Sequence, residues 1–456
     1  MNNYGTINAN GAGVTLDVAL NSPGTINVNS GSLVLSGGGT ISGPINLANG
    51  AILDFENTGI PTGTYYVLAP TSSISGTGSV IFNSWQNLLL SGGYNITGTT
   101  TVTGLVSFLS PISSLGTSLV VNAQFANCDL GSNSVNVATF NLRKGTLSGS
   151  GILTVGNLLE WNEGSMQGGG TTNAQNGVFL NGFTGAGGFN ILNRTLNCYG
   201  SSWVQPTSSF ANLNFGLNAA LNIMPGATFN ASRLMISGSS TFGQTYGRVT
   251  NYGTLIIDQP GTIGMSVFGT VFVNQGNIQI TNSKLDTRSS GSQAPYVQNG
   301  GSVQLNNGSL ASEGIEINGG SLSGYGTVGD IVSNALIAPA GGSLNFFQNT
   351  LTLQSNSVLA YELSGTTPGV GFGYMINVST ATLGGALQIT ISPQFQSQIQ
   401  PSDTFTLISA QAITGHFTNV ANGGRLTTAD GSGSFIVNYS GSALVLSNFL
   451  ATNSPR

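Results

Sequence analysis

The sequence predicts an all-β fold, a parallel β-helix in which short strands stack coil upon coil. Three observations carry this expectation. Short segments repeat along the chain, glycines fall between brief runs of Val, Ile, Leu and Phe, and helix-favouring charged residues are scarce. Charged residues make up 5% of the 456, against about 25% in an ordinary soluble protein. The 39% hydrophobic content is still enough to bury an apolar core. A core that grows by repetition also suits a chain too long for a single globular core. Right-handed winding is expected from the general class of such folds, not from any residue.

The repeats come first. Asn-x-Gly-Thr/Asn-Leu/Ile occurs at Asn3 to Ile7, Asn251 to Leu255 and Asn274 to Ile278. The last two copies are 23 residues apart, a plausible length for one coil. Leu/Ile-Ser-Gly-x-Gly occurs at Ile74 to Gly78, Leu147 to Gly151 and Leu322 to Gly326, with a looser copy at Met166 to Gly170. Between these marks lie runs such as Ser32 to Leu35, Thr254 to Ile257 and Ser302 to Leu305. In a strand, alternate side chains point inward and outward. Runs this short gain stability only by pairing with the coils above and below. Glycine and asparagine at the corners supply the positive φ that other residues resist.

Residues 1–356 read as the solenoid. Residues 357–456 read as a carboxyl-terminal β-module that caps it, with longer strands at Val358 to Leu363, Ala386 to Ser392, Thr404 to Ser409, Gly433 to Tyr439 and Ala443 to Ser447. Pro393 and Pro401 mark loops there. A cap is expected physically, because an open solenoid end leaves strand N–H and C=O groups unpaired.

Composition also bears on partners. The formal net charge is −5 and the nine Lys and Arg residues are scattered, so no footprint for nucleic acid is expected. No apolar run reaches about 18 residues, so no membrane-inserted helix is expected. Cys128 and Cys198 lie 70 residues apart, about three coils. At roughly 4.8 Å per coil, equivalent positions would be too far apart for a disulfide. Both are therefore read as reduced core residues. The start, Met1-Asn2-Asn3-Tyr4-Gly5, is polar and repeat-like rather than an export signal, which suggests a fragment or a chain whose signal has been removed.

Several stretches resemble the large bacterial surface proteins that carry autotransporter-associated β-strand repeats. They are Pro23 to Thr40, Leu159 to Met166 with its Trp-x-x-Gly-x-Met turn, Asn193 to Asn197, and Ala381 to Leu387 followed by Asp403 to Phe405. The resemblance covers most of the chain. It implies secretion and display outside the cell or on its surface, and it assigns no catalytic residue. The sequence ends at Ala451 to Arg456 with no membrane-anchoring barrel following, a departure from the family's self-transporting members.

Chemistry is thinly represented, with 14 acidic residues and one histidine. The leading candidate is Glu160, Trp161 and Glu163, because an indole face beside carboxylates suits a sugar ring. The competing reading packs Trp161 at a coil corner and leaves both glutamates solvated. Asp54 and Glu56 share a strand face at a spacing compatible with glycosidase carboxylates, or are simply a solvated face. Glu313 and Glu316 need a turn at Gly314 to meet. His416 stands alone, so no metal site is expected, and no cofactor motif is present. Arg143 and Lys144 stand without acidic neighbours in sequence, but Glu160 and Glu163 follow Lys144 by 16 and 19 residues, close to one coil.

The function expected is a non-catalytic structural or adhesive surface module. Its expected partners are polysaccharide or surface glycan, or a second copy joined end to end. The alternative is a polysaccharide-binding or polysaccharide-degrading β-helix enzyme.

Overall fold

In the computed structural model the chain winds as a parallel β-solenoid. The structure describes residues 1–57, 65–181, 188–205, 210–238, 247–260, 264–288 and 296–452, and no helix occurs among them. Its contacts divide the chain into two units, Met1–Ala227 and Thr228–Arg456.

In the first unit each coil contributes strands to three faces. The first face opens with a six-stranded sheet that ends at Ile112–Leu115. Here Thr6–Ala9 pairs with Thr25–Val28, followed in turn by Pro44–Leu47, Ser73–Gly76 and Gly93–Ile96. Further along, this face carries the rows Val137, Val155, Ala174, Cys198 and Ile223. The second face stacks Ser32–Leu35, Ile52–Asn57, Ser79–Ser84 and Thr99–Val102. It continues through 118–121, 139–142, 159–161 and Val178–Asn181. The third face runs from Gly39–Ile41 through Leu105–Phe108 to Phe189–Leu192.

The alternation expected from sequence is visible strand by strand. Ile52–Asn57 buries Leu53, Phe55 and Asn57 and turns Ile52, Asp54 and Glu56 outward. One inward row on the second face reads Leu35, Phe55, Phe82, Val102, Val121, Leu142, Trp161 and Leu180. Phe55 and Phe82 stack with centroids 5.7 Å apart. Stacking identical chemistry on successive coils is what turns 4-residue strands into a continuous core.

The corners explain the repeats. In Leu/Ile-Ser-Gly-x-Gly the first glycine has φ of 126° at Gly76, 106° at Gly149 and 96° at Gly324. At each, an added Cβ would also lie within 2.6 Å of a backbone carbonyl oxygen of the preceding coil. Glycine is therefore required twice over, by conformation and by space. Asparagine serves elsewhere: Asn193 and Asn218 both have positive φ, and the Asn218 amide donates to Asn193 Oδ1.

In the second unit the same three faces recur. Asn251 lies in register with Asn274, confirming the 23-residue coil. Both are buried, and Asn251 Nδ2 donates to Asn274 Oδ1 at 2.8 Å. At the next rung Gln298 takes the place of asparagine and donates to the carbonyls of Gly319 and Ser321. Coil length varies: Leu322 pairs with Ile337, 15 residues on, whereas Leu359 pairs with Leu387, 28 residues on.

Parallel winding continues past residue 357. Val358–Leu363 pairs with the preceding coil and Ala386–Ile391 with Val358–Leu363, both in parallel. Pairing becomes antiparallel where Phe405–Gly415 meets Ala443–Ala451, which also pairs with Gly433–Tyr439. This segment closes the free edge of Ala386–Ile391. The Asn419 side chain both accepts from Leu387 N–H and donates to its carbonyl. Ala429 N–H donates to the Ile389 carbonyl, and the Asp430 carboxylate accepts from Ile391 N–H. Four edge groups of that strand are thus paired by the segments on either side of the strand Arg425–Thr427, the physical content of a cap. Residues 453–456, the end of the sequence, lie outside the described residues.

Both cysteines are buried and free. They occupy different faces, Cys128 in register with Leu147 on the third and Cys198 in register with Ala174 on the first. Burial raises both thiols to about 12, so neither ionises at neutral pH.

Candidate functional site

The strand Ile152–Trp161 settles where the leading candidates point. Leu159 and Trp161 face inward and Glu160 outward. Trp161 is 0% exposed, and its ring meets Phe189 edge-on at 5.2 Å. A sugar stacks on an open aromatic face, and this indole has none. Its Nε1 has no hydrogen-bond partner, so it sits in the core as a hydrophobe.

Glu160 stands in an outward row with Asn141 before it and Phe179 and Trp203 after it. The aromatic neighbours of this carboxylate therefore come from later coils. Phe179 and Trp203 stack on each other at 5.1 Å, which occupies one face of each ring. Glu163 lies at the corner one coil from Lys144, with 3.9 Å between Nζ and Oε2. That is an ion pair without a hydrogen bond. With Lys144 half exposed, it is worth at most about 1 kcal/mol. Arg143 is exposed beside it.

Asp54 and Glu56 both face outward, as alternation requires. Asp54 is flanked in register by Val34 and Ile81. Burial between these side chains, with a smaller contribution from Glu56, raises its carboxyl from an ordinary 3.8 to about 6. Its Oδ1 has no hydrogen-bond partner. The folded state holds this proton more tightly than the unfolded chain, so its contribution to stability is complete below pH 3.8 and lost as pH rises through 6. Asp54→Asn is expected to flatten stability between about pH 4 and 6. At pH 7 it should stabilise by about 1 kcal/mol, the partial exposure keeping the gain small. Urea denaturation of both forms across that range measures it, and an unchanged pH slope would contradict the assignment.

Glu313 is exposed at a bend and Glu316 is exposed on the strand Ile315–Ile317. His416 is exposed too, just past the Phe405–Gly415 strand. Among the described residues no three His, Cys, Asp or Glu side chains gather where they could hold a metal ion.

Two features were not singled out from sequence. The first is Arg194, 2% exposed in the core. Its Nε donates to Thr172 Oγ1, Nη1 to the carbonyls of Gly149 and Gln167, and Nη2 to those of Gly151 and Thr171. All five guanidinium donors are thus used, and the partners lie on the two preceding coils. Burial lowers its pKa to about 10, which leaves it charged at neutral pH. The second is a cleft beside Trp85 and Phe125, which are 67% and 68% exposed. Their ring centroids are 6.3 Å apart at 42°, over a cavity of about 300 Å³. The only sequence signal for it is apolar bulk at positions where the strand alternation breaks.

No known family model matches this sequence, and no curated protein matches it.

Proposed function

We propose that this chain is a non-catalytic structural or adhesive module of a bacterial protein that works outside the cell or on its surface. The observation that carries the reading is the set of side-chain ladders on the outer faces of the coils. Asn27 Nδ2 donates to Asn8 Oδ1 and Asn46 Nδ2 to Asn27 Oδ1, each at 2.9 Å. Asn197 bonds Asn173, and Asn222 bonds Asn197, in the same way. Such ladders hold the coils in register and repeat uncharged amides at about 4.8 Å along a face. A periodic, neutral array of donors and acceptors suits contact with the hydroxyls of a polysaccharide. The resemblance to autotransporter-associated repeats supports the same setting.

The second reading, a polysaccharide-processing enzyme, draws on Glu160 beside Phe179 and on Glu163 beside Lys144. One experiment separates the two. The purified chain is incubated with plant, algal and bacterial polysaccharides, and both co-pelleted protein and new chain ends are scored. Co-pelleting without new ends is expected. New reducing or unsaturated ends, abolished by Glu160→Gln or Glu163→Gln, would overturn the structural reading.

A further inference from the structure

We propose that the cleft beside the Trp85–Phe125 ring pair binds a pyranose ring of an uncharged polysaccharide. The inference rests on the reading of the chain as a carbohydrate-contacting module and gives that contact a place.

The cleft is built by a local change in coil length. In one coil the strands Thr99–Val102 and Leu105–Phe108 are joined by residues 103–104 alone. In the next coil the segments in register with them, 118–121 and 127–129, are separated by residues 122–126. The longer corner swings outward and carries Phe125 at its tip. Trp85 follows Ser79–Ser84, on the far side of residues 103–104. The two aromatic rings therefore rise from coils on either side of a coil that has only Thr103 and Gly104 at that corner.

Gly104 keeps the gap open. A Cβ there would lie 2.2 Å from the Ser84 carbonyl oxygen and 2.3 Å from its nitrogen, so no larger residue fits without moving backbone. The corner beneath the ring pair stays low for that reason.

The chemistry of the lining selects the ligand. Ser84, Trp85, Thr103, Gly104, Leu105, Ala123, Gln124 and Phe125 line the cavity, and none is charged. A phosphate, sulfate or uronate would meet no compensating charge, so the complementarity is to a neutral ligand. The two rings, in contact at 6.3 Å, form one exposed apolar wall that matches the C–H face of a pyranose. The Thr103 hydroxyl, which donates to Asn83 Oδ1, can still accept from a sugar hydroxyl, and the exposed Gln124 amide stands at the rim. A volume of about 300 Å³ lies at the small end of ligand pockets, suited to one sugar unit of a longer chain.

The test titrates cellohexaose, xylohexaose, mannohexaose and laminarihexaose into the full chain by calorimetry, with tryptophan fluorescence as a second readout. At least one is expected to bind. Trp85→Ala and Phe125→Ala should each weaken it by about tenfold or more, the loss of one stacking face, with the melting temperature unchanged. Trp203→Ala, which removes an exposed tryptophan elsewhere, should leave binding intact. Binding unaffected by both Trp85→Ala and Phe125→Ala would overturn the cleft while leaving the outer faces as the contact surface. Failure of the oligosaccharides to bind, together with failure of every polymer to pellet the chain, would overturn both. Sedimentation showing a dimer that Trp85→Ala dissolves would also overturn the proposal, by making a second copy the occupant.

Discussion

Replacing Arg194 by methionine is expected to remove about 3–5 kcal/mol of stability, because several buried acceptors lose a charged donor at once. The guanidinium reaches four backbone carbonyls and a hydroxyl on the two preceding coils. Methionine fills much of the volume but donates nothing, so the carbonyls of Gly149, Gln167 and Thr171 each lose a donor inside the core, while Gly151 keeps its bond from the Thr171 N–H. Lysine keeps the charge but replaces a flat five-donor fork with a single ammonium, and should recover only part of the loss. A solenoid opens locally as well as globally. Hydrogen exchange should therefore rise first in the coils spanning 149–198, alongside a lower urea midpoint. Equal stability of wild type and Arg194→Met would show that the five bonds do not form in solution.

Trp161→Ala is expected to cost about 3–5 kcal/mol, as large aromatic-to-alanine changes in cores do. Trp161→Phe should cost far less. It keeps a ring against Phe189 and removes an indole N–H that has no partner. Denaturation of the three forms gives the ordering. Sugar binding supplies the complementary readout, because Trp161→Phe should retain it in full. If Trp161→Ala kept full stability and lost only polysaccharide binding, the indole would have to be a surface platform.

These two residues show what sequence makes legible and what it hides. The strands at Ser32–Leu35, Thr254–Ile257 and Gly433–Tyr439 follow from alternation and β-branched content. The glycine corners follow from backbone stereochemistry, and the 23-residue coil from two copies of one motif. The direction of Trp161 is legible as well, since it shares parity with Leu159 in a strand whose inward residues alternate. The partners of Arg194 were not within reach. Gly149 and Gly151 precede it by 45 and 43 residues, and variable coil length decides which corners stack. Trp85 and Phe125 meet for the same reason, through an extended corner whose effect depends on the register of the coils around it. The change from parallel to antiparallel pairing lies nearer residue 405 than 357. The longer strands from Val358 onward marked longer parallel rungs before they marked the cap.

The ladders, the Arg194 bonds and the Trp85 cleft all depend on one claim, that successive coils stack in parallel and in register. Paired cysteines test it most directly, because Cys128 and Cys198 are buried and should not react. Asn27 and Asn46 are register partners on adjacent coils, about 4.8 Å apart, whereas Asn8 and Asn46 are two coils apart, about 10 Å. A thiol crosslinker spanning about 5 Å is expected to join Asn27→Cys to Asn46→Cys in the folded chain and to leave Asn8→Cys and Asn46→Cys unjoined. Equal crosslinking of the two pairs, or none in the adjacent pair, would contradict the stacking on which the account stands.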